Sequence, residues 1–510
     1  MARPPRLLGV DPRAIGGLKD YYETTMLDAN LAAGIAGRRS VFNLAVRGLR
    51  AHKVVGEKTM TDADGTWACS LVEPDNFLLN AGLEQLLAAL LAWRIDEELL
   101  SFYASKGLAP ATLRDLRENP RLDLTIEAIP EGVPVFGHEP VLSVEGTFER
   151  CQLPESLLLG ILGYQTAVAT EAARVRGILR EAGRNVLTLE GGSRRAHPAA
   201  ALSASRAALI GGFDGTSLEQ LGVEYPDAAA AVGGSSGHSA VLHFGGDERA
   251  FDLQLRAYYR LAPEDGPEEI RRKIAAVRGV GPTFLIDTFD SAEGVETAIR
   301  VMKRYGVQSQ IRNDSGDAAA RARHIRSRLD AEGLPRARIM LSDELKPWRI
   351  HALMREGVPL DLLLMGTHLV NPYRLPGAVY KLAADEDPAT GRLEPVCKLS
   401  KDAPGKGTLP GRLDVHRILG ADGLAVRDEI CARGESPRLE RGESSLKLNQ
   451  TVMVQGGLAA DIPGLLEARE NAKRHLALLR DEHTRFRGAV PYPVVVSETV
   501  RKTREAFAKR

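Results

Sequence analysis

The chain has 510 residues, 44% apolar and 26% charged, which suggests an ordinary globular protein of roughly two to four domains. Its 67 Lys plus Arg balance 67 Asp plus Glu, and zero net charge argues against nucleic acid or an acidic membrane as a non-specific partner. The four Cys (69, 151, 397 and 431) lack metal-ligand spacing, no apolar run reaches the ~18 residues of a membrane span, and the N-terminal MARPPRLLGVDPRA lacks a signal-peptide core, so the expectation is a soluble cytoplasmic protein.

In chain order, residues 77–103 read as a helix with a core stripe of Phe77, Leu78, Leu83, Leu86, Leu87 and Leu90. Residues 124–144 alternate and carry Pro and Gly turns, the pattern of an antiparallel sheet. Residues 153–185 are strongly helical, and Asn185–Leu189 is strand-like. Between Thr283 and Pro372 four short apolar runs end at Asp287, Arg312, Ser342 and Gly366, separated by helical segments at the spacing of βα units. Residues 374–450 read as short strands, and 457–486 as a charged surface helix.

In parallel α/β architectures the site is built at the carboxyl ends of the strands. Taken as a series, Asp287, Arg312-Asn313-Asp314-Ser315-Gly316-Asp317, Ser342 and Gly366-Thr367 predict an α/β fold, a βα-barrel holding a phosphate-rich ligand. One at a time they are ordinary βα turns. Three further motifs carry chemistry. Glu190-Gly191-Gly192-Ser193-Arg194-Arg195 sets two Arg beside a Gly turn, able to grip phosphate oxygens. Gly211-Gly212-Phe213-Asp214-Gly215-Thr216-Ser217 permits close approach of a ligand. Gly233-Gly234-Ser235-Ser236-Gly237-His238-Ser239 leaves His238 accessible to a large ligand. There is no P-loop, no GxGxxG after a strand, no HExxH, no paired CxxC and no GxSxG elbow.

These residues resemble, in order, the nicotinate phosphoribosyltransferase family, the ATP-coupled enzymes of NAD salvage. The resemblance includes Tyr21-Tyr22-Glu23-Thr24-Thr25-Met26, Phe42-Asn43-Leu44-Ala45-Val46-Arg47, Ser193-Arg194-Arg195, Gly215-Thr216-Ser217, Gly237-His238-Ser239, Asp287-Thr288, Arg312 to Asp317, Gly366-Thr367, Val379-Tyr380-Lys381-Leu382, Lys398-Leu399-Ser400 and Pro491-Tyr492-Pro493-Val494. It implies an irregular βα-barrel of the type II phosphoribosyltransferase kind with an open-faced antiparallel β domain. The parts would be a helical and β-sheet domain at 15–155, the barrel with catalytic loops at 156–372, a return to the β domain at 373–455, and a helical segment at 456–510.

It further implies a cytoplasmic homodimer with shared active sites, acting on nicotinate, phosphoribosyl pyrophosphate and ATP with Mg²⁺. His238 is expected to be phosphorylated by ATP, with Asp287 as its catalytic partner. Tyr22 would stack on the pyridine across the dimer, with Ser217, Ser235 and Arg312 around the nicotinate. Arg194, Arg195, Asp314, Gly366 and Thr367 would hold phosphoribosyl pyrophosphate, and Asp287 and Asp317 the metal. The nearest rival, nicotinamide phosphoribosyltransferase, typically has Asp where Ser217 stands, and an Asp would repel a carboxylate. A silent pyridine-nucleotide-binding homologue is the other alternative, motivated by departures from the usual pattern around Gly191, Leu218 and Ala240; Ser235 also stands where Thr is usual.

Overall fold

A computed structural model describes residues 11–47, 57–62, 65–70, 76–277, 281–372, 377–400, 402, 406–459 and 461–509, the side chains of 57–62 and 65–70 excepted. The first ten residues, the side chain of Cys69 and the start of the 373–455 segment lie outside it. Among the described residues Cys151, Cys397 and Cys431 are free thiols, and no helix is long and apolar enough to cross a membrane. The chain is a mixed α/β protein built on two large sheets and one smaller one.

The first sheet is entirely parallel, in the order Thr283–Leu285, Gln310–Asn313, Arg338–Leu341, Leu362–Met365, Leu187–Glu190, Gly215–Thr216. Its strands are short apolar runs whose side chains are largely buried, as expected when helices cover a parallel sheet. The intervening helices carry the signals that start and stop them. Asp290 caps Ser291–Tyr305 by accepting from the Glu293 amide (2.9 Å), and Gly306 ends it in the left-handed region (φ 66°). Val295, Ala298, Ile299 and Met302 recur on one face of that helix and are buried.

The second sheet is antiparallel, in the order Leu393–Pro395, Ala378–Glu386, Arg39–Val46, Pro140–Thr147, Thr125–Ala128, Gln450–Val454, Gly457–Leu458. Strands from near both ends of the chain thus meet in one sheet. A four-stranded sheet (Ser444–Lys447, Leu413–Leu419, Ala425–Ala432, Val494–Val496) completes the C-terminal part. Helix Glu155–Glu181 joins the two main hydrophobic cores. Its early residues Leu157, Leu158 and Leu162 pack beside the antiparallel sheet, and Val168, Val175 and Ile178 pack with the parallel one. At 1.5 Å per residue, 27 residues span about 40 Å.

Two helical expectations are corrected. Residues 77–103 are not one helix: Leu78–Leu79 is a strand, followed by helices Leu83–Ala92 and Glu97–Ser105. The break has local causes. Gly82 sits at φ 106°, closed to other residues, and Asp96 opens a new helix by accepting from the Leu99 amide. The 457–486 segment is not a surface helix either. It holds strand Gly457–Leu458 and helices Leu465–Ala477 and Asp481–Thr484, and the longer helix buries Leu465, Ala468 and Ala472 in the main core.

Candidate active site

The carboxyl ends of the parallel strands gather most of the residues singled out above. Arg312, near the end of Gln310–Asn313, has a side chain only 9% exposed. Its Nε donates to Ser342 Oγ (2.9 Å), one terminal nitrogen to Ser235 Oγ (3.2 Å) and the Ser236 carbonyl (3.3 Å), and the other pairs with Asp314 Oδ2 (2.9 Å). Ser342 comes from the neighbouring strand end, and Ser235 and Ser236 from the loop before His238. Gln254 secures that loop by donating to Ser236 Oγ (2.7 Å).

His238 begins the short helix His238–Phe244, and its side chain is 44% exposed. Its Nδ1 lies 3.1 Å from Thr288 Oγ1, and its Nε2 3.9 Å from Asp314 Oδ2. One carboxylate therefore faces both the guanidinium and the imidazole. Asp287 braces the same turn: its Oδ2 accepts from the Asp314 amide (3.1 Å) and Ser315 Oγ (2.6 Å). Its Oδ1 is buried without a hydrogen-bond partner, the condition of an oxygen that a cation or a ribose hydroxyl would complete. Asp317 is placed differently. Its Oδ1 accepts from the amides of Ala319 and Ala320 and caps helix Ala318–Ala331, so of the two carboxylates assigned to a metal, Asp287 fits and Asp317 is engaged elsewhere. Among the described residues no group of three His, Cys, Asp or Glu side chains could hold an ion unaided, whereas Mg²⁺ needs only one or two carboxylates alongside substrate phosphates.

Across the sheet, the Gly191 amide donates to the Met365 carbonyl (2.7 Å), which sets Gly191-Gly192-Ser193-Arg194-Arg195 beside Gly366 and Thr367. Arg194 and Arg195 are exposed, and the Asn371 amide holds the Arg195 carbonyl (3.1 Å). A Cβ at Gly191 would stand 2.7 Å from Leu364 Cδ1. A larger side chain at 191 would therefore have to displace Leu364. Ser217 lies just past Gly215–Thr216, exposed, its amide on the Glu190 carbonyl (2.8 Å).

Glu190 was not foreseen as a site residue. It is fully buried, with one carboxylate oxygen on the Gly192 amide and the other on Ser205 Oγ (2.6 Å) and Thr216 Oγ1 (2.5 Å). It fixes the turn that presents the two Arg, and its signal was an acid at a strand end before two Gly. Ser342 joins the cluster from the strand end where the series placed it, and Thr288 and Ser236 are contacts that had been given no role. Tyr22 shares no hydrogen-bond partner with this cluster among the described residues. On helix Tyr21–Ala32, its hydroxyl donates to Glu155 Oε2 (2.7 Å), and the residue is 44% exposed. Burial and the Glu155 carboxylate push the phenol well above its ordinary value, so it remains protonated.

Residues 441–504 match the model of the nicotinate phosphoribosyltransferase C-terminal domain. A nicotinate phosphoribosyltransferase of Mycobacterium tuberculosis is 33% identical over 432 residues, covering 83% of this chain and 82% of that one. One of Bacillus subtilis is 31% identical over 72% of this chain and 74% of its own. Among solved structures, human nicotinic acid phosphoribosyltransferase superposes with a TM-score of 0.70 at 26% identity, covering 96% of this chain and all of that one. The nicotinate-nucleotide pyrophosphorylase of Pyrococcus furiosus, at 19% identity and TM-score 0.64, shares the fold. With its strand-end cluster and its likeness to these relatives along most of its length, the chain is an enzyme of the nicotinate phosphoribosyltransferase family.

Proposed function

We propose that the enzyme joins nicotinate to phosphoribosyl pyrophosphate, giving nicotinate mononucleotide and pyrophosphate, with ATP hydrolysis coupled through phosphorylation of His238. The observation that carries the reading is the meeting of His238 and Arg312 on Asp314 at the strand ends. The nicotinate carboxylate would take the place of Ser235 Oγ and the Ser236 carbonyl on Arg312, exchanging two long neutral contacts for charge-assisted ones. The ring nitrogen then attacks ribose C1 as the bond from C1 to pyrophosphate breaks. The protein's part is placement, and stabilisation of the departing charge by Arg194, Arg195 and the amides near Gly366 and Thr367. Asp287, whose Oδ1 is buried without a partner, would hold Mg²⁺ together with substrate phosphates, and the ion would supply positive charge for the leaving group. With Thr288 at 3.1 Å from Nδ1 and Asp314 no nearer than 3.9 Å to Nε2, Nε2 is the less engaged nitrogen of His238 and the one that would receive the phosphoryl group of ATP.

The all-parallel order, in which Leu362–Met365 pairs back with the earlier strand Leu187–Glu190, supports an irregular βα-barrel, open among the described strands between the edges Thr283–Leu285 and Gly215–Thr216. That Tyr22 and Arg312 share no hydrogen-bond partner agrees with a homodimer in which Tyr22 serves the partner's site. The test supplies nicotinate or nicotinamide with phosphoribosyl pyrophosphate and ATP and measures mononucleotide. Formation from nicotinate is expected, and turnover of nicotinamide alone rejects the assignment.

A further inference from the structure

Two of the Gly-rich motifs meet on one buried carboxylate. Glu190 closes strand Leu187–Glu190 and has no exposed surface. One of its oxygens accepts from the Gly192 amide, the other from Thr216 Oγ1 (2.5 Å) and Ser205 Oγ (2.6 Å). An acid buried on an amide and two hydroxyls is a costly way to shape a turn. What it holds on each side explains why an acid is there.

On one side is the turn that presents Arg194 and Arg195. Gly192 begins it, its carbonyl accepting from the amides of Arg195 (2.7 Å) and Ala196 (3.1 Å). A Cβ at 192 would stand 2.4 Å from Val370 Cγ1 and 3.1 Å from the Glu190 oxygen itself, so glycine lets the amide reach the carboxylate. On the other side is Thr216. Its hydroxyl donates to Glu190 and accepts from the Leu218 amide (3.0 Å), which frames Ser217, and the Ser217 amide rests on the Glu190 carbonyl (2.8 Å). The Thr216 carbonyl in turn accepts from the amide of Gly233 (2.9 Å), where the loop to Ser235 and His238 begins. The turn expected to grip diphosphate and the loops expected to hold nicotinate thus share one anchor.

We propose that Glu190 is a positioning residue of the transferase, through which the arginine turn and the nicotinate pocket are set together, so that a disturbance on one side is felt by the substrate on the other. This rests on the reading of the enzyme as a phosphoribosyl pyrophosphate-dependent transferase. Glu190 acts through Gly192 and Thr216 rather than on a substrate. Both of its oxygens serve as acceptors, whereas an amide has a single acceptor oxygen and can accept on one side only. Ser205 ties the carboxylate to helix Pro198–Ile210, most of which is buried.

The test uses full-length protein carrying Glu190→Gln, Thr216→Val, Thr216→Ser, or Glu190→Gln and Thr216→Val together. The kcat, the KM for phosphoribosyl pyrophosphate and for nicotinate, and the unfolding midpoint are measured for each. Thr216→Val is the sharper variant, because its hydroxyl is linked to the arginine turn through Glu190. It is expected to raise the KM for nicotinate and also that for phosphoribosyl pyrophosphate, each about fivefold, the loss of one buried hydrogen bond. Glu190→Gln should raise both about tenfold, with kcat changed less than either KM. The paired variant should be no worse than Glu190→Gln alone, since both changes break one link. Thr216→Ser, which keeps the hydroxyl, should recover most of the loss. A rise confined to the nicotinate KM in Thr216→Val, losses that simply add in the paired variant, or both KM values unchanged at native unfolding midpoints overturn the inference. Should Glu190→Gln fail to fold, Thr216→Val and Thr216→Ser decide it by themselves. A wild-type protein that forms no mononucleotide would instead refute the assigned reaction.

Discussion

Arg312→Gln is the sharpest perturbation of the site. The side chain is 9% exposed and makes a charge-assisted pair with Asp314 at 2.9 Å. On binding, the nicotinate carboxylate would displace two neutral contacts of 3.2 and 3.3 Å. Two charge-assisted bonds at ~1.5–3 kcal/mol each, less ~1 kcal/mol for each contact displaced, leave ~1–4 kcal/mol. The middle of that range corresponds to about a hundredfold change in affinity. The KM for nicotinate should therefore rise about a hundredfold and that for nicotinamide by only a few-fold, so the ratio between the two bases collapses. The variant also leaves Asp314 without its cation. Asp314 keeps Ser342 and is partly exposed, so the cost in stability is about 1–3 kcal/mol rather than the full loss of a buried pair, and kinetics well below the unfolding midpoint separate the two effects. A nicotinate KM within about threefold of wild type, in a folded variant, refutes Arg312 as the carboxylate ligand.

His238→Asn should abolish acid-labile phosphate derived from γ-labelled ATP while leaving slow, ATP-independent transfer; label retained on the variant counts against His238 as the acceptor. Burial lifts Glu23 from 4.5 to about 7, so the native state holds a proton there that the unfolded chain releases, and stability should fall as pH rises between those values. Glu23→Gln should flatten that slope, seen in unfolding midpoints at pH 5 and 7.5. Arg206 is fully buried, with Glu131 at 2.6 Å and Glu84 at 2.7 Å; Arg206→Met strands two carboxylates and should cost about 3–5 kcal/mol in urea unfolding. Burial opposes ionisation of Glu131, yet Arg206 and the Gly82 amide hold its carboxyl below the usual range. Its contribution is present above the ordinary carboxylate range and is lost on acidification, so the variant should show a weaker acid transition than wild type.

The parallel strands were legible because each is a short apolar run closed by polar residues and Gly, and Thr283–Leu285, Gln310–Asn313, Arg338–Leu341 and Leu362–Met365 fall where that pattern put them. The place of Arg312 followed from strand ends sharing one edge, and His238 reaches it from the start of a helix behind a Gly/Ser loop. What escaped reading is non-local. Strand Arg39–Val46 lies between partners about a hundred and over three hundred residues away, and nothing in its own alternation names either. Glu190 looked like a turn residue because burial is invisible in a single sequence. Asp317 was read as a ligand although an Asp directly before a charged helical run is also the ordinary cap, and capping is what its oxygen does.

Within one protomer the Tyr22 hydroxyl is tied to Glu155, while His238 and Arg312 are tied to Asp314, Thr288 and Ser342. No partner is common to the two sets. Whether one nicotinate meets Tyr22 and Arg312 from the same copy or from two can be decided without a ligand-bound structure. Tyr22→Ala and Arg312→Gln proteins, each nearly inactive alone, are mixed in equal amounts, unfolded and refolded together. In a dimer with shared sites, a mixed dimer places both lesions in one site and leaves the other intact. Random pairing makes half the dimers mixed, so activity should return to about a quarter of wild type. Were each site built from a single chain, every site in the mixture would carry one lesion and no activity would return. Absence of recovery, with mixed dimers demonstrated by differential tagging, would therefore assign Tyr22 a role within its own protomer and remove the reason for placing the ring between two subunits.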